Sequence, residues 1–429
     1  MRFALIAPKA ESAIYDGHLK KLFNMYTTTL PHLVPYIPKG IDFKVFSGRE
    51  NNNIPLEEFD AIGISENTSA ANNAHILAKR AQKIGIPVIL GGTHATAMFE
   101  EEKKYGVVVR GGHGGPPLEM ILNRLQKGLP LEEHYDAFTS PTKFRSPRRD
   151  VMKKRFAYEI APVSTTVGCP WNCNYCSVKT LYGNTFFHYP IDEIIKDIKT
   201  VGKHFFFVDD NLSYDQIYAE ELMKQLTPLN KKWAMQAVSS LGNKEQESFV
   251  DLAYDAGLRA VYFGLDGVTE SSLKEAGAGH KRNPIQKTLD QIARIHDKGI
   301  LIEIGFVVGY DHDTEETFDL IQNLIDKSVA DSAIFHILTP YPGTALFNKL
   351  KKQNRITTFD WSKYNTGNLT FELAGMPKQV FMDRYNRLWE YNLSISRIWK
   401  TTRSSPNPII TLGKKLATKN YRRKILNQV

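Results

Sequence analysis

The three cysteines of this 429-residue chain lie together on one short segment, as Cys169, Cys173 and Cys176. Three thiolates on one loop can bind three irons of a cubane iron–sulfur cluster, and the fourth iron is then free to bind a small molecule. A structural zinc site is the alternative, but it needs a fourth ligand, for which His188 is the nearest downstream candidate. Because no cysteine lies elsewhere, the sequence excludes a disulfide framework.

The cysteines are expected at the mouth of a parallel βα barrel. From residue 164 onward, strand and helix patterns alternate, with strand candidates at 164–167, 205–209, 234–238, 260–265, 303–308 and 333–338. Helical intervals such as 191–201 and 314–327 separate them, which is typical of a full or partial barrel. The first strand leads directly into the cysteine segment. Since barrel active sites lie at the carboxyl ends of the strands, the thiolates are predicted at the catalytic end.

A second α/β domain is predicted ahead of the barrel. In residues 1–128, strand candidates at 3–7, 43–46, 61–65, 88–90 and 107–109 alternate with helical patterns, which indicates a small doubly wound parallel sheet. Ligands of such sheets bind beyond the carboxyl ends of the strands, here in the loops 8–31, 66–69, 91–96 and 111–117. Two of these loops are rich in glycine. Glycine lets a bulky ligand approach the backbone, although tight turns explain such glycines equally well.

The excess positive charge lies at the C-terminus. A polar, proline-interrupted linker is predicted at 129–158, the barrel at 159–359, and a helical region with a basic tail at 360–429. Residues 391–429 contain nine Lys or Arg and no Asp or Glu, so the other 46 basic side chains balance the 46 acidic ones. The tail is expected either to bind an anionic surface, such as a membrane, nucleic acid or an acidic partner, or to be a solvated extension.

The sequence carries no pattern of a membrane-spanning or exported protein. No stretch approaches the roughly 18 consecutive apolar residues of a spanning helix. The first residues run directly into a strand pattern without a leader segment. The sequence therefore predicts a cytoplasmic protein, with peripheral membrane contact through the basic tail as an open alternative.

The cysteine spacing, with Tyr175 before the last cysteine, resembles that of the radical S-adenosylmethionine enzymes, and the resemblance covers about residues 165–342. It implies an enzyme with a 4Fe-4S cluster whose open iron binds the amino and carboxylate groups of S-adenosylmethionine. Reductive cleavage would yield methionine and a 5′-deoxyadenosyl radical that removes hydrogen from a substrate. The resemblance also implies an electron donor such as flavodoxin or ferredoxin.

The same resemblance assigns cofactor-binding roles to polar residues at the ends of the barrel strands. Asp209 would contact the methionine ammonium group, and Asp266 would contact the ribose hydroxyls. Gln236 and Ser239 lie near the same mouth. For each acid, a helix cap or a surface charge is the alternative.

The fifth barrel strand resembles the glycine-flanked strand that runs beside the adenine in this family. Gly305 and Gly309 are its flanking glycines. The segments 310–313 and 339–344 follow the fifth and sixth strands. They are candidates for substrate contacts, and turns formed by proline, glycine and aspartate are the equal alternative.

The N-terminal domain looks like the cobalamin-binding domain of cobalamin-dependent radical S-adenosylmethionine enzymes. Its contacts would come from the loops that contain Ser65, Thr68, Gly91, Gly92 and Thr96. The usual Asp-x-His-x-x-Gly fingerprint begins at Asp16 and His18 but has Lys21 in place of the glycine. We therefore expect binding without His18 as an axial ligand. His94 and His113 are expected to be turn histidines rather than metal ligands.

These resemblances imply methyl transfer to an unactivated carbon, the commonest reaction of the subclass. The enzymatic alternatives are radical cyclisation, rearrangement or carbon–carbon coupling, and a cobalamin-free member of the family. A basic-tailed adaptor on a degenerate barrel is the non-enzymatic alternative, which the complete cysteine set disfavours. No cysteine remains for the further cluster of a tRNA methylthiotransferase, so the substrate is expected to be a small molecule, a lipid or a peptide.

Overall fold

The computed structural model describes residues 1–10, 24–25, 27–48, 54–139, 144–152, 159–238, 241 and 247–426. His18 and Ser239, for which the sequence makes predictions, lie outside these ranges. The described chain forms an α/β structure with two large parallel sheets and a helical C-terminal region, which confirms the predicted fold class.

The first sheet is six-stranded and fully parallel. Its strands are β1 (Arg2–Ile6), β3 (Asp42–Phe46), β4 (Ala61–Ser65), β5 (Val88–Gly91), β6 (Val107–Arg110) and β7 (His134–Asp136), in the spatial order β3-β1-β4-β5-β6-β7. Both faces bury apolar clusters, which is why β1 and β4 are nearly continuous apolar runs. The chain order reverses between β1 and β4, and sheets of this kind bind ligands beyond that point.

One strand of this sheet was not predicted. β7 lies within residues 129–158, which the sequence assigns to the linker, and its three residues carry no apolar alternation. Further along the same segment, residues 144–152 contact both halves of the molecule. Arg149 pairs with Asp197 of a barrel helix (2.6 Å), and Arg145 pairs with Glu119 on a helix of the first sheet (2.7 Å).

The second sheet is parallel and forms a partial barrel. Its strands are β2 (Asn24–Met25), β8 (Glu159–Val163), β11 (His204–Phe207), β12 (Lys232–Val238), β13 (Leu258–Asp266), β14 (Leu301–Val308) and β15 (Ser332–Ile337), in the spatial order β15-β14-β13-β12-β11-β8-β2. From β8 to β15 the spatial order follows the chain, as the predicted (βα)6 pattern requires. Alternate residues, such as Val261 and Phe263 of β13, join the core beneath the outer helices.

The first barrel strand begins earlier than predicted. Residues 164–167 were expected to form it, but the strand is β8, which ends at Val163. The predicted segment instead includes β9 (Thr166–Val167), which pairs antiparallel with β10 (Phe187–His188). Both segments are rich in β-branched residues, so propensity alone does not distinguish them. The cysteines therefore follow a separate two-stranded sheet rather than the barrel strand itself.

Helices connect and cover the strands. Those of the first half are Thr29–Leu33, Ala71–Lys83, Thr93–Ala97, Phe99–Glu102 and Gly115–Gln126. Those of the barrel are Val178–Tyr182, Ile191–Thr200, Gln216–Leu226, Glu247–Asp255, Glu270–Glu275, Ile285–Asp297, Glu315–Lys327 and Ala345–Lys352. The C-terminal helices are Lys378–Asn392, Ile395–Ser404 and Pro408–Leu426. None of the described helices is long and apolar enough to cross a membrane.

The basic C-terminal segment packs against the barrel, which corrects the expectation of a solvated extension. Arg397, Lys415 and Arg422 are buried, and Lys414 pairs with Glu303 of β14. The acids that these cations meet lie far away in the sequence, so the charge pattern of the tail alone does not reveal them. Lys400 also donates to the Asp326 carbonyl (3.2 Å), so among the described side chains five of the nine basic residues after Tyr391 are buried in, or paired with, the protein itself.

Candidate active site

The cysteine segment begins at a position that requires glycine. Gly168 has φ +81°, and a Cβ there would collide with the carbonyl oxygen of Thr185. Further along, Asn174 fixes the segment through its backbone. Its N–H donates to the Ala276 carbonyl (2.8 Å), and its carbonyl accepts from the Leu346 N–H (2.9 Å). The loop is therefore held by two later parts of the barrel.

The three thiols fit an iron–sulfur cluster better than a single ion. Burial raises the pKa of each thiol, and that of Cys176 to about 12, so positive charge must replace the protons before they become ligands. A tetrahedral zinc with bonds of about 2.3 Å would hold its sulfur ligands about 3.8 Å apart. Among the described residues, the three sulfur atoms do not all lie within 4.8 Å of one another. A cubane, which places each ligand on a different iron, suits this wider spacing.

His188, the candidate fourth zinc ligand, has other partners. Its ring stacks on Tyr218 with centroids 4.2 Å apart, and its Nε2 lies 3.4 Å from a carboxylate oxygen of Asp215. Among the described residues, His188 belongs to no group of three or more candidate metal ligands, so it does not complete a zinc site with the cysteines.

A buried hydrogen-bonded network borders the cysteines. The Tyr175 hydroxyl donates to Asp266 Oδ2 (2.5 Å), and Lys281 Nζ donates to the same oxygen. Asp266 ends β13 at φ +59°, a left-handed conformation that costs a non-glycine residue about 1–3 kcal/mol and must be held by its partners. The Lys281 charge opposes the rise in the pKa of the Cys173 thiol. Sequence reasoning missed Lys281, because a single lysine in a polar loop carries no pattern.

Asp209, predicted to bind the methionine ammonium group, is committed to the protein backbone. Its Oδ1 accepts from the N–H and hydroxyl groups of both Thr165 and Thr166, and the side chain is buried. Gln236 Nε2 donates to the Asp209 carbonyl (2.8 Å). Asp209 therefore holds the segment that leads into the cysteines, while its Oδ2 has no partner among the described residues.

The charge of the neighbouring Asp210 acts on two of the thiols, and that of Asp266 on the third, Cys173. Asp210 raises the pKa of both Cys169 and Cys176, after the larger effect of burial. Burial, with a contribution from Asp209, raises the pKa of Asp210 itself to about 7. Of this acid pair, the sequence analysis assigned the cofactor contact to Asp209, whose Oδ1 accepts hydrogen bonds from the protein backbone.

The fifth-strand glycines are required by packing within the barrel. A Cβ at Gly305 would collide with the Tyr262 hydroxyl, and Gly309 has φ +111°. The turn that follows is held by Asp313, whose Oδ2 accepts from the Gly309 N–H (2.8 Å) and whose Oδ1 accepts from Ser272 Oγ (2.7 Å). The segment 310–313 thus has the turn role that the sequence offered as an alternative to substrate contact.

The segment 339–344 also makes a structural turn. The Thr344 hydroxyl accepts from the Phe347 N–H (3.2 Å) and so caps the helix Ala345–Lys352. That helix supplies Leu346, the residue that anchors the cysteine loop. The turn therefore helps to position the cysteine loop.

Polar groups that the sequence did not single out line the inward face of the barrel. The Tyr262 hydroxyl lies 3.1 Å from His336 Nε2, and His336 Nδ1 lies 3.0 Å from Thr366 Oγ1. Burial lowers the pKa of His336 to about 4, so the imidazole is neutral near pH 7. Glu303 of β14 lies on the same side and pairs with Lys414. Alternation along the strands could have identified these inward positions.

A cavity of about 420 Å³ opens at the carboxyl edge of the first sheet. Ser65, Gly91 and Gly92 line it on the side of that sheet, and Leu181 and Tyr182 line it on the side of the barrel. The last two residues belong to the helix Val178–Tyr182, which begins just after Cys176. The cavity is therefore bounded both by the predicted cobalamin loops and by the helix that follows the cysteines.

Two of the residues predicted to contact cobalamin do not line this cavity. Thr68 is buried in a helical turn. The Thr96 hydroxyl joins the two glycine loops, since it donates to the Gly92 carbonyl (2.8 Å) and accepts from the Gly111 N–H (2.9 Å). Both residues thus lie outside the cavity lining. The sequence alone could not distinguish such a supporting position from direct contact with a ligand.

The comparisons with known proteins agree with this arrangement. Residues 163–325 match the family model described as the Radical SAM superfamily. Bacteriochlorophyllide d C-12(1)-methyltransferase of Chlorobaculum tepidum is 26% identical over 423 residues, which are 94% of this chain and 90% of that protein.

Two solved structures share the fold over the whole chain. The radical S-adenosylmethionine methyltransferase TsrM from Kitasatospora setae, with cobalamin and a 4Fe-4S cluster bound, has a TM-score of 0.72 at 12% identity, and the match covers 99% of both chains. OxsB, described as a cobalamin-dependent S-adenosylmethionine radical enzyme, has a TM-score of 0.65 at 12% identity, covering 100% of this chain and 80% of that one.

The partial barrel and the cysteine loop at its mouth define a metal-cluster enzyme. The family match over the barrel strands specifies the class further. The barrel region, residues 163–325, matches the Radical SAM superfamily, and the cofactors that fit its cysteine loop are a 4Fe-4S cluster and S-adenosylmethionine.

Proposed function

We propose that the protein is a cobalamin-dependent methyltransferase that methylates an unactivated carbon of a small molecule. The observation that carries the proposal is the cavity shared by the glycine loops and the helix after the cysteines. A ligand in that cavity would contact the first sheet and the cluster-bearing half of the protein at once. The full-length match to a methyltransferase and the cobalamin in two proteins of the same fold support this assignment.

The chain would hold each cofactor with a separate set of residues. Ser65, Gly91 and Gly92 would bind cobalamin, and the three cysteines would bind the cluster. Tyr175, Asp210, Gln236, Asp266 and Lys281 are the residues proposed to surround S-adenosylmethionine. When bound, these groups supply a 5′-deoxyadenosyl radical and a transferable methyl group, while the protein orients them and excludes water. An external electron donor of the flavodoxin or ferredoxin class would reduce the cluster.

The substrate is proposed to bind inside the barrel. Tyr262 and His336 supply a donor and an acceptor on its inner face. Bacteriochlorophyllide d, named for the Chlorobaculum relative, is the first candidate to test. A lipid or a peptide would meet the same two polar groups.

The experiment that tests this function can be done before the substrate is identified. The protein is reconstituted anaerobically with iron and sulfide, with or without cobalamin, and supplied with S-adenosylmethionine and a reductant. We expect 5′-deoxyadenosine that depends on the cluster and S-adenosylhomocysteine that depends on added cobalamin. Formation of 5′-deoxyadenosine alone, regardless of cobalamin, would favour radical cyclisation, rearrangement or coupling and would contradict methyl transfer.

The C-terminal helices support a second proposal, that this cytoplasmic enzyme binds an anionic membrane surface. Ile395, Trp399 and Ile409 are 70–84% exposed on neighbouring helices. Leu412 and Leu416 extend the same side of the helix Pro408–Leu426 at intervals of three and four residues. No acidic residue follows Glu390, so these helices themselves add only basic charge beside the apolar face, as an anionic lipid interface favours.

Vesicle binding tests this surface directly. The double variant Trp399→Ser and Ile409→Ser should bind anionic vesicles about tenfold more weakly or worse, since burying each such side chain is worth roughly 1.5–3 kcal/mol. Ile217→Ser, at an equally exposed isoleucine on another helix, is the matched control. Added salt should weaken wild-type binding by screening the basic side chains. Equal sedimentation of all three proteins with anionic vesicles would contradict membrane binding through this surface.

A further inference from the structure

Four ionisable side chains gather in the interior of the first half of the protein, behind the glycine loop. His75 lies on the helix Ala71–Lys83, His94 on the helix Thr93–Ala97, and Glu102 at the end of the helix Phe99–Glu102. Glu66 directly follows β4. Each of the four is at most 9% exposed. Charged groups at such depth need a partner of opposite charge or must lose their charge.

Three of these side chains have the geometry of metal ligands. Nitrogen and oxygen atoms of His75, His94 and Glu102 all lie within 4.8 Å of one another. The Nε2 atoms of His75 and His94 lie 2.6 Å and 3.6 Å from the same oxygen, Oε1 of Glu102. The cysteine sulfur atoms do not gather in this way. The cluster therefore offers a compact site for one ion, separate from the iron–sulfur loop.

The polar atoms of this cluster are left unsatisfied by the protein. Both ring nitrogens of His94, both carboxylate oxygens of Glu66 and Oε2 of Glu102 have no hydrogen-bond partner among the described residues. Burial lowers the pKa of His94 to about 3, so its ring is neutral and its lone pair is available. Burial and then the Glu102 charge raise the pKa of the Glu66 carboxyl. A divalent cation would give these buried nitrogen and oxygen atoms the partners that the described residues do not supply.

We propose that His75, His94 and Glu102, with Glu66 beside them, bind one divalent first-row transition metal ion. Two imidazoles and one or two carboxylates are a ligand set that zinc accepts, with bonds of about 2.0–2.2 Å. Such bonds would require only small movements of side chains that already lie within 4.8 Å of one another. The alternative is a proton shared between Glu66 and Glu102, which would leave His94 without a partner.

The proposed ion would stabilise one wall of the cofactor cavity. Gly92 has φ +103°, and a Cβ there would collide with the backbone of Glu66, so the glycine loop and the Glu66 segment are in direct contact. Around the cluster, Tyr105 stacks on His75 (4.4 Å between centroids), and Trp361 meets the His94 ring edge-on (4.9 Å). The ion would tie the helix Ala71–Lys83 to this loop and, through Trp361, to the region that follows the barrel. This inference does not depend on the proposed methyl transfer.

Zinc binding to a cluster-free protein tests the site. The full chain with Cys169→Ala, Cys173→Ala and Cys176→Ala is stripped with a chelator and titrated with Zn²⁺, and bound zinc is measured by elemental analysis. We expect one zinc per chain. Added His94→Ala or Glu102→Gln should weaken binding about tenfold or more. His113→Ala is the matched control, since His113 is also a buried histidine in this half of the chain but belongs to no such ligand group.

Two further measurements keep the test decisive if a variant folds poorly. X-ray absorption of the zinc-loaded triple-cysteine protein should show only nitrogen and oxygen ligands, with imidazole scattering. Zinc should also raise the unfolding temperature of this protein, because the ion binds only the folded site. Failure to retain zinc, or retention unaffected by both ligand substitutions, would overturn the proposal and favour the shared proton.

Discussion

Charged side chains at the barrel mouth form a hydrogen-bonded group beside the cysteine loop. Asp266 binds Tyr175 and Lys281 through one oxygen, in a backbone conformation that needs such support. The position of Asp266 was predictable from the sequence, because the residue ends an apolar strand pattern. Lys281 was not, because its position depends on how the loop after Asp266 folds back over the mouth. The structure therefore shows a positive charge beside Asp266 that could not be placed there from the sequence.

The Gly305–Tyr262 contact allows a test of packing at single-residue resolution. Gly305→Ala would place a methyl group against the Tyr262 hydroxyl and should destabilise the protein by about 1–3 kcal/mol. Tyr262→Ala removes the obstacle, so the double variant should be less destabilised than the sum of the two single variants. Denaturant unfolding of all four proteins measures this coupling. Strictly additive effects would show that the two residues are not in contact.

At the scale of secondary structure, the sequence placed five strands of the first sheet within one residue and missed β7. Alternating or continuous apolar runs reveal strands that bury several side chains, whereas His134–Asp136 is a short edge strand of which only Tyr135 is buried. The packing of the basic tail was not predictable for a related reason. Its charges indicated either an anionic binding surface or a solvated extension, whereas the barrel supplies buried sites for Arg397, Lys415 and Arg422.

The helix Pro408–Leu426 makes stability depend on pH through Lys415. This side chain is buried, its Nζ has no hydrogen-bond partner among the described residues, and burial lowers its pKa to about 7. Arg397 and Lys414 lower the pKa further, while Asp331 and Glu303 oppose them. In the unfolded chain the lysine titrates near pH 10.5. The unfolded state therefore binds the extra proton between pH 7 and 10.5, and stability should rise with pH across that range.

Lys415→Met should remove this dependence. Each unit of pKa difference between the folded and unfolded states is worth about 1.4 kcal/mol. The variant should therefore be more stable than the wild type by a few kcal/mol near pH 7, and this difference should shrink towards pH 10. Urea unfolding at both pH values measures it. Lys400→Met, at an exposed lysine of the preceding helix, is the control and should change little. A loss of stability in Lys415→Met at pH 7 would mean that the ammonium group has a stabilising partner.

The cavity at the edge of the first sheet gives a test of cobalamin binding at the level of the loops. A substitution of Gly92 would be a poor test, because an added Cβ would collide with the Glu66 backbone whether or not a ligand is bound. Ser65 lines the cavity at the end of β4, so Ser65→Phe should fill it and weaken cobalamin binding about tenfold or more. Ser69→Phe, a few residues later and outside the cavity, is the control. Equilibrium dialysis measures both, and equal affinity would place cobalamin elsewhere.

At the scale of the whole molecule, the two halves are joined by more than a linker. Asn72 donates to Asp360 (2.8 Å), Arg149 pairs with Asp197, and Tyr182 reaches the glycine loops of the first sheet. Each of these contacts joins residues far apart in the chain, so composition and periodicity could predict the two α/β units but not how they face each other. Their facing edges create the cavity on which the proposed function rests.

The central claim is that Cys169, Cys173 and Cys176 hold a 4Fe-4S cluster that cleaves S-adenosylmethionine. The measurement that tests it most directly is 5′-deoxyadenosine formation by anaerobically reconstituted wild type and Cys173→Ala, with iron content and circular dichroism recorded for both. We predict four irons per chain and reductive cleavage for the wild type. The variant should retain its fold but lose the chromophore and form no 5′-deoxyadenosine. Normal cleavage by a folded Cys173→Ala protein would contradict the account.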